Sequence, residues 1–409
     1  MIVVLYNLIL IVISALTGIS VIYYVLNSYS SLKYSGVTHP ENVDLSKVTI
    51  AMPVYNEDVD VFRESIESVA MQGCKFVVVG DSSDEPYRSI VEKAGGKFIL
   101  QEIRGGQKKA ISRAFDFVHT EFVLLVDSDT ILPPNAVASM QSYFDSTVGG
   151  VGANIGIKKT GSAVAYASEF IERSREVVFR AMSAHGNVMN LDGACVMLRT
   201  ELVRPFIKSD EFLEFKLFGR PSVLGEDWLI TGYIINKGYR AVKDYSTRVE
   251  SYPQKDARKF LKQNVRWARS GWIRFGRELM DGTATRAGKF YTFELIYTYL
   301  LPVIVLGFGI FRFFAFFQAN PGALHFMNIV DDILLIRPSD VGYLIYTKLT
   351  ITFANVSGSM IFLGAVITRM KGEKLKTIAF GALGLLVLFV TNIYGIFTFW
   401  KGGNHWLTR

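Results

Sequence analysis

The polarity pattern divides the chain into three kinds of stretch. No charged side chain occurs from Met1 to Leu32, from Leu349 to Thr368 or from Thr377 to Trp400. Each run is long enough to cross a hydrocarbon core, which takes about 20 helical residues. A further uncharged run, Leu295 to Phe311, sits inside a wider aromatic-rich stretch. Between Lys33 and about Lys289 the pattern turns globular, and short β-rich runs alternate with helical periodicity. They are Val48–Tyr55 then Asp58–Met71, Lys75–Gly80 then Glu85–Ala94, Lys97–Glu102 then Gln107–Val118, and Glu121–Asp127 then Pro133–Phe144. This rhythm predicts an α/β domain on a mainly parallel sheet. In such sheets the ligand crevice lies at the C-terminal ends of the strands. Asn56, Glu57, Asp81, Asp127 and Asp129 fall there.

The third pattern is amphipathic. Leu261, Val265, Ala268, Trp272, Phe275 and Leu279 recur at alternating spacings of four and three, while Lys262, Arg266, Arg269 and Arg277 lie largely on another face. That is how a helix lying in a membrane interface reads. The expected organisation is therefore an N-terminal transmembrane helix (1–32), a globular domain (33–255), amphipathic interfacial helices (256–288), a C-terminal transmembrane region (289–400) and a short tail (401–409).

Composition sharpens this picture. Of 409 residues, 50% are hydrophobic and 20% charged, which excludes a disordered chain and, with the apolar runs, a purely soluble one. The first run lacks a basic n-region and is too long for a cleaved signal peptide. The two cysteines, Cys74 and Cys195, support neither a disulfide framework nor a zinc site. The net charge of +7 is local, because Arg248 to Lys289 holds eleven Lys or Arg against four Asp or Glu. Such a patch suits nucleic acid, anionic lipid or a phosphorylated substrate; beside membrane segments, no nucleic-acid partner is expected. Arg369, Lys371, Lys374 and Lys376 place the last inter-helix loop in the cytoplasm. The stretch 320–340, with Asp331, Asp332 and Asp340 against Arg337, suits the outside. The globular domain is then cytoplasmic, in a multi-pass protein of the plasma membrane. Parity would put the tail outside if Thr377–Trp400 crossed fully; the expectation is that part of it is interfacial or re-entrant, with a break at Asn392 and Gly395.

Four constellations carry candidate chemistry. Asp127-Ser128-Asp129 follows an apolar strand, and two carboxylates at a strand end suit a divalent cation that also takes diphosphate oxygens; the bland alternative is a solvated acidic turn. Gly225-Glu226-Asp227 precedes a helical pattern, so its acids either cap that helix or supply Asp227 as a general base for an attacking hydroxyl. Gln263, Arg266 and Trp267 share one helix face at i, i+3 and i+4. A guanidinium beside an indole suits a diphosphate plus a sugar, although headgroup binding explains most of the nearby cations. Arg104-Gly105-Gly106-Gln107-Lys108-Lys109 could cradle a phosphate at a helix N-terminus or be a basic surface loop. The five His show no ligand spacing.

Pro53-Val54-Tyr55-Asn56-Glu57, Asp81, the two acidic motifs and Gln263-Asn264-Val265-Arg266-Trp267 stand in the order and approximate spacing of processive family 2 glycosyltransferases, which the chain resembles from about Val48 to Arg409. Trp406-Leu407-Thr408-Arg409 resembles the ending of hyaluronan, chitin and type 3 capsular polysaccharide synthases. The resemblance implies a GT-A-type domain using a nucleotide diphosphate sugar, a UDP-sugar, with Mg²⁺ or Mn²⁺. It implies that Tyr55, Glu57 and Asp81 hold the uridine, Lys108 helps at the nucleotide side, and Asp127 and Asp129 serve nucleotide and metal. Glu226 and Asp227 would form the catalytic pair, with Asp227 the base. Arg266 would meet the diphosphate, Trp267 and Gly193 the acceptor end, Gln263 would share in substrate binding, and Trp406 and Arg409 would belong to a gating tail. The implied activity is inverting polymerisation of a β-linked polysaccharide, with export of the growing chain through the bilayer. The alternative is a single-transfer enzyme making a lipid-linked sugar or glycolipid. Three positions depart from the synthases: Trp228 stands for an Arg, Asp192 for a small residue or proline, and Leu407 for a glycine.

Overall fold

A computed structural model describes residues 2–217, 220–222, 224–319 and 342–401. Helix α1 (Ile2–Lys33) leads into the globular domain. There β1 (Val48–Val54), α2 (Val59–Ala70), β2 (Lys75–Asp81), α3 (Tyr87–Lys93), β3 (Lys97–Gln101), α4 (Gln107–Ala114) and β4 (Phe122–Val126) follow in the expected alternation. Next come β5 (Thr130–Ile131), α5 (Ala136–Ser142), β6 (Val148–Ile157), α6 (Ala163–Ala184), β7 (Cys195–Arg199), α7 (Thr200–Ile207) and α8 (Asp210–Leu213). The two-residue strands β8 (Lys216–Leu217) and β9 (Arg220–Pro221) pair antiparallel. They are followed by α9 (Glu226–Asn236), β10 (Arg240–Ser251), α10 (Ala257–Met280), α11 (Thr283–Ala287) and α12 (Lys289–Ala319). The chain continues with α13 (Gly342–Arg369) and α14 (Lys374–Ile396).

Eight strands form one sheet in the order β3-β2-β1-β4-β7-β6-β10-β5. β1, β2, β3 and β4 run parallel, as do β6 and β10. β7 is antiparallel to both β4 and β6, and β5 is antiparallel to the end of β10. The sheet is thus mixed but mostly parallel. Buried Ile50, Met52, Val78 and Leu124 face one layer of helices, and Ala51, Val77, Val79 and Leu125 the other. This is the two-sided burial that a parallel sheet requires. β6, β7 and β10 lie beyond the alternation read from the sequence, and in β6 glycines interrupt the hydrophobic pattern. One of them has a steric cause: a Cβ on Gly152 would collide with the carbonyl oxygen of Leu191, where the segment before β7 crosses over the strand.

Four helices are long and apolar enough to cross a membrane: Leu10–Lys33, Lys289–Phe311, Leu349–Arg369 and Lys374–Ile396. The C-terminal ends of α1 and α13 land on α6. Ser30 Oγ meets His185 Nε2 at 3.3 Å, Arg369 donates to Ser31 Oγ at 2.9 Å, and Ala365, Val366 and Met370 pack on Phe170 and Val177. The expected break in the last helix is absent. α14 runs unbroken through Asn392 and Gly395, because both residues are used in packing. Trp272 Nε1 donates to the Asn392 side-chain oxygen at 3.0 Å, and a Cβ on Gly395 would come within 3.0 Å of the Ala268 Cβ.

Candidate active site

The strand ends place the acidic residues, and short hydrogen bonds tie them into one cleft. After β1, Ser128 Oγ donates to Glu57 Oε2 at 3.0 Å, and the Tyr87 hydroxyl donates to the Glu57 carbonyl at 2.6 Å. This joins the end of β1 to the Asp127-Ser128-Asp129 turn. Tyr55 lies beside it, with the Arg104 guanidinium 3.9 Å from its ring centroid.

Asp81, at the end of β2, is 4% exposed and fully engaged. Oδ1 accepts from Gly105 N at 2.7 Å and Gln101 Nε2 at 2.7 Å, and Oδ2 accepts from Gly106 N at 2.8 Å. The phosphate cradle expected at this glycine turn is therefore occupied by a carboxylate of the protein itself. The physical preference is the one anticipated, backbone N–H groups and a helix start favouring an anion, but Asp81 is the anion. The next residue, Gln107, donates to Asp127 Oδ1 at 3.1 Å, so one turn links Asp81 to Asp127.

Asp127 N donates to the Ala194 carbonyl at 3.0 Å. Asp227 approaches the same 192–194 segment, with its Cβ 3.9 Å from where a Cβ on Gly193 would sit. Asp127 and Asp227 thus both adjoin this segment, although 100 residues separate them in sequence. Glu226 and Asp227 form the first turn of α9 after Gly225, which is left-handed at φ +94. Both acids are half-buried. Burial, then the neighbouring Asp227, push the Glu226 carboxyl above its ordinary range, with Arg266 and Lys108 acting against the shift. Asp227 accepts from Trp228 N at 2.8 Å through Oδ1 and from Asn190 Nδ2 at 2.7 Å through Oδ2.

Lys108 points away from the open cleft. It is buried, and its Nζ donates to the Leu224 carbonyl at 3.2 Å beneath the Gly225-Glu226-Asp227 turn. Burial lowers its pKa to about 8, opposed by Glu226 and Asp227. Gln263, Arg266 and Trp267 lie on α10, which docks on α9 where the Trp228 indole donates to Ser270 Oγ at 2.9 Å. That contact accounts for the tryptophan in the position of an Arg. Arg266 acts on Glu226, Gln263 is half-buried, and Trp267 is 41% exposed, an indole open to a ligand. The Asp192 departure also has a structural role. At φ +62, its buried carboxylate pairs with Lys243 and with Arg175 at 2.5 Å, fixing the segment before Gly193. Burial alone would raise its pKa, but Arg175 and Lys243 hold it below the usual carboxylate range. Trp406 and Arg409 lie outside the described residues, as does the acidic stretch 320–341.

Sequence reasoning missed Asn190, Gln107 and Arg274. Arg274 is buried on α10, one helical face away from Arg266, and acts on Asp227. Only Gln107, inside the glycine-turn motif, carried any signal in the sequence.

As for metal, no group of three or more His, Cys, Asp or Glu side chains converges among the described residues. The donors at the site are two carboxylates one residue apart. They fit a hard divalent cation whose remaining ligands come from phosphate and water, and not a cation held by protein alone.

The class of protein now follows. Residues 46–270, more than half of the chain, match the family described as glycosyltransferase like family 2, and the chain belongs to that family. It is 25% identical over 264 residues to an N-acetylglucosaminyltransferase of Azorhizobium caulinodans, a match covering 61% of this chain and 65% of that one. It is 25% identical over 240 residues to a hyaluronan synthase of Streptococcus pyogenes, covering 55% and 57%. The matches thus span less than two thirds of the length of these relatives. Among solved structures, a mannosyltransferase from Pyrobaculum calidifontis, in complex with GDP-Man and Mn²⁺, superimposes with a TM-score of 0.59 at 18% identity, over 87% of this chain and 98% of that one. That likeness shows the GT-A-like fold.

Proposed function

We propose that this glycosyltransferase is a membrane-embedded, inverting, processive polysaccharide synthase. It takes a UDP-sugar donor, with N-acetylglucosamine the first candidate sugar, and passes the β-linked product across the bilayer. The observation that carries the reading is the convergence of Asp127 and Asp227 on Gly193 beneath an interfacial helix bearing Gln263, Arg266 and Trp267. A carboxylate for the nucleotide side, a carboxylate for the acceptor side and an open indole at the membrane face are what polymer extension requires. The hyaluronan synthase and N-acetylglucosaminyltransferase relatives support the same substrate class.

In this mechanism Tyr55, Glu57 and the Asp81-braced turn receive the uridine. Asp127 and Asp129 would hold Mg²⁺ or Mn²⁺, which when bound offsets the charge of the diphosphate. Arg266 adds a guanidinium to the departing diphosphate, so that no general acid is needed. The acceptor hydroxyl lies over Gly193, and Asp227 takes its proton as it attacks the anomeric carbon opposite the leaving group. Burial and the neighbouring Asp227 raise the Glu226 pKa, and Glu226 completes the acidic pair beside the base, Asp227. Trp267 stacks the acceptor sugar and aims it at the membrane helices.

Purified protein with radiolabelled UDP-N-acetylglucosamine, alone and with UDP-glucuronate or UDP-glucose, plus Mg²⁺ or Mn²⁺, tests this. High-mass product that disappears with chelator is expected. A single-sugar lipid would replace the proposal with the single-transfer alternative. Asp227→Asn should lower turnover by at least about 10³-fold while UDP still binds, and retained polymerisation would remove Asp227 from the role of base.

A further inference from the structure

The segment before Gly193 does more than floor the acceptor site. Asn190 points its side-chain amide at Asp227, with Nδ2 donating to Oδ2 at 2.7 Å. The amide cannot turn over at no cost, because its Oδ1 accepts from Asp192 N at 3.2 Å. Its backbone is held on both sides. Leu191 N donates to Thr231 Oγ1 at 3.2 Å, and Thr231 Oγ1 donates to the Asp227 carbonyl at 2.8 Å, closing a ring of contacts around the first turn of α9. On the other side, the Met189 carbonyl accepts from Arg274 Nη1 at 3.5 Å. Nη2 of Arg274 donates to the Tyr299 hydroxyl on α12 at 3.0 Å.

We propose that Asn190 is the positioning residue for the proposed base: it fixes the Asp227 carboxylate toward the acceptor hydroxyl, and Arg274 holds Asn190 in register with the membrane helix α12. The inference rests on Asp227 being the base. Oδ1 is tied to Trp228 N and Oδ2 to Asn190, so each carboxylate oxygen has its own donor and rotation of the group breaks at least one of the two hydrogen bonds. Without Asn190 the carboxylate keeps one tether and can rotate away from a near-attack alignment, the kind of misplacement that lowers turnover without weakening donor binding. The charged groups facing Asp227 are Glu226 on its own helix, Lys108 from α4 and Arg274 from α10.

The experiment uses the full-length protein in detergent or nanodiscs, with UDP-N-acetylglucosamine as donor and UDP binding as the check on folding. Asn190→Ala should lower kcat by about 10- to 100-fold, the loss expected for a hydrogen bond to a charged group, with the donor KM within about twofold. Asn190→Asp places a second carboxylate against Asp227. It should move the acid limb of the kcat profile up by at least about one pH unit, because two carboxylates sharing one site cannot both ionise freely. A role in folding alone would move neither the kcat-to-KM split nor the pH limb. Unchanged kcat in Asn190→Ala, or a loss confined to KM or UDP affinity, overturns the proposal. Asp227→Asn run beside it separates the two levels: if that variant still polymerises, the base assignment falls and the positioning role with it. If it is inactive and Asn190→Ala is not impaired, only the positioning role falls.

Discussion

Lys108 shows what burial does to one side chain beneath the Gly225-Glu226-Asp227 turn. Its pKa lies at about 8 instead of 10.5, so the native protein releases this proton before the unfolded chain does. Below about pH 8 both states are protonated and the cost of burying the ammonium is fully present. Between pH 8 and 10.5 only the unfolded chain holds the proton, so this group raises stability as pH increases. The gap between Lys108→Met and the native protein should therefore narrow across that window, by at most about 3 kcal/mol. Paired melting curves at pH 7.5 and pH 10 check this, and a constant difference would show that Lys108 titrates normally. The same residue marks where sequence reading stopped. Asp127, Asp129, Asp227 and Arg266 were legible because each sits in a short motif whose chemistry is local. Lys108 also sits in a motif, yet its direction was set by α4 packing over Leu224, 116 residues away. Asn190 and Arg274 had no motif at all, since their contacts to Asp227 and Met189 exist only once α9, α10 and the segment before β7 are assembled.

Among elements, the alternation from β1 to α5 was readable because each strand is a compact apolar run bounded by polar turns. β6 and β7 were not. The Gly150 and Gly152 that let β6 pass under Leu191, with Gly149 before them, also erase its hydrophobic signature, and the antiparallel insertion of β7 depends on partners β4 and β6, not on its own composition. Helix packing at the membrane face follows a similar steric rule. A Cβ on Gly381 of α14 would collide with the Phe170 ring on α6, and one on Gly384 would lie 3.2 Å from the Ala167 Cβ, so small residues set how closely the two helices approach. Gly381→Leu should destabilise the protein by about 1–3 kcal/mol through overpacking. Gly364→Leu on α13, where nothing lies within 4 Å of a Cβ, should have little effect. Thermal unfolding of the two variants in the same detergent tests this, and equal melting temperatures would remove the glycines from that role.

For the whole molecule, the contacts of α14 decide between two topologies that its length leaves equal. A helix of 23 residues that crosses a bilayer should meet the globular domain at one end only. α14 meets it at both. Its first half lies on α6 through Gly381, Gly384 and the stacked rings of Phe380 and Tyr166, 5.8 Å apart. Its second half lies on α10, through Asn392 to Trp272 and through Thr398, just past its end, whose hydroxyl accepts from Arg269 at 3.1 Å. α6 in turn carries the ends of α1 and α13, and its opposite face is tied to the sheet by Arg248 to Glu169 at 2.6 Å. A helix seated along both α6 and α10 is expected to run in the interface plane, which would turn its exposed Leu383, Leu386, Phe389 and Val390 toward lipid. That placement predicts a tail on the same side as the candidate site, as a tail closing over a nucleotide requires. Cys74 and Cys195 are buried, so single cysteines introduced at Leu375 and Trp400 report cleanly on either side of α14. In inside-out vesicles an impermeant maleimide should label both. Labelling of the first with protection of the second would make α14 a full crossing and put the tail on the far side of the membrane from the cleft.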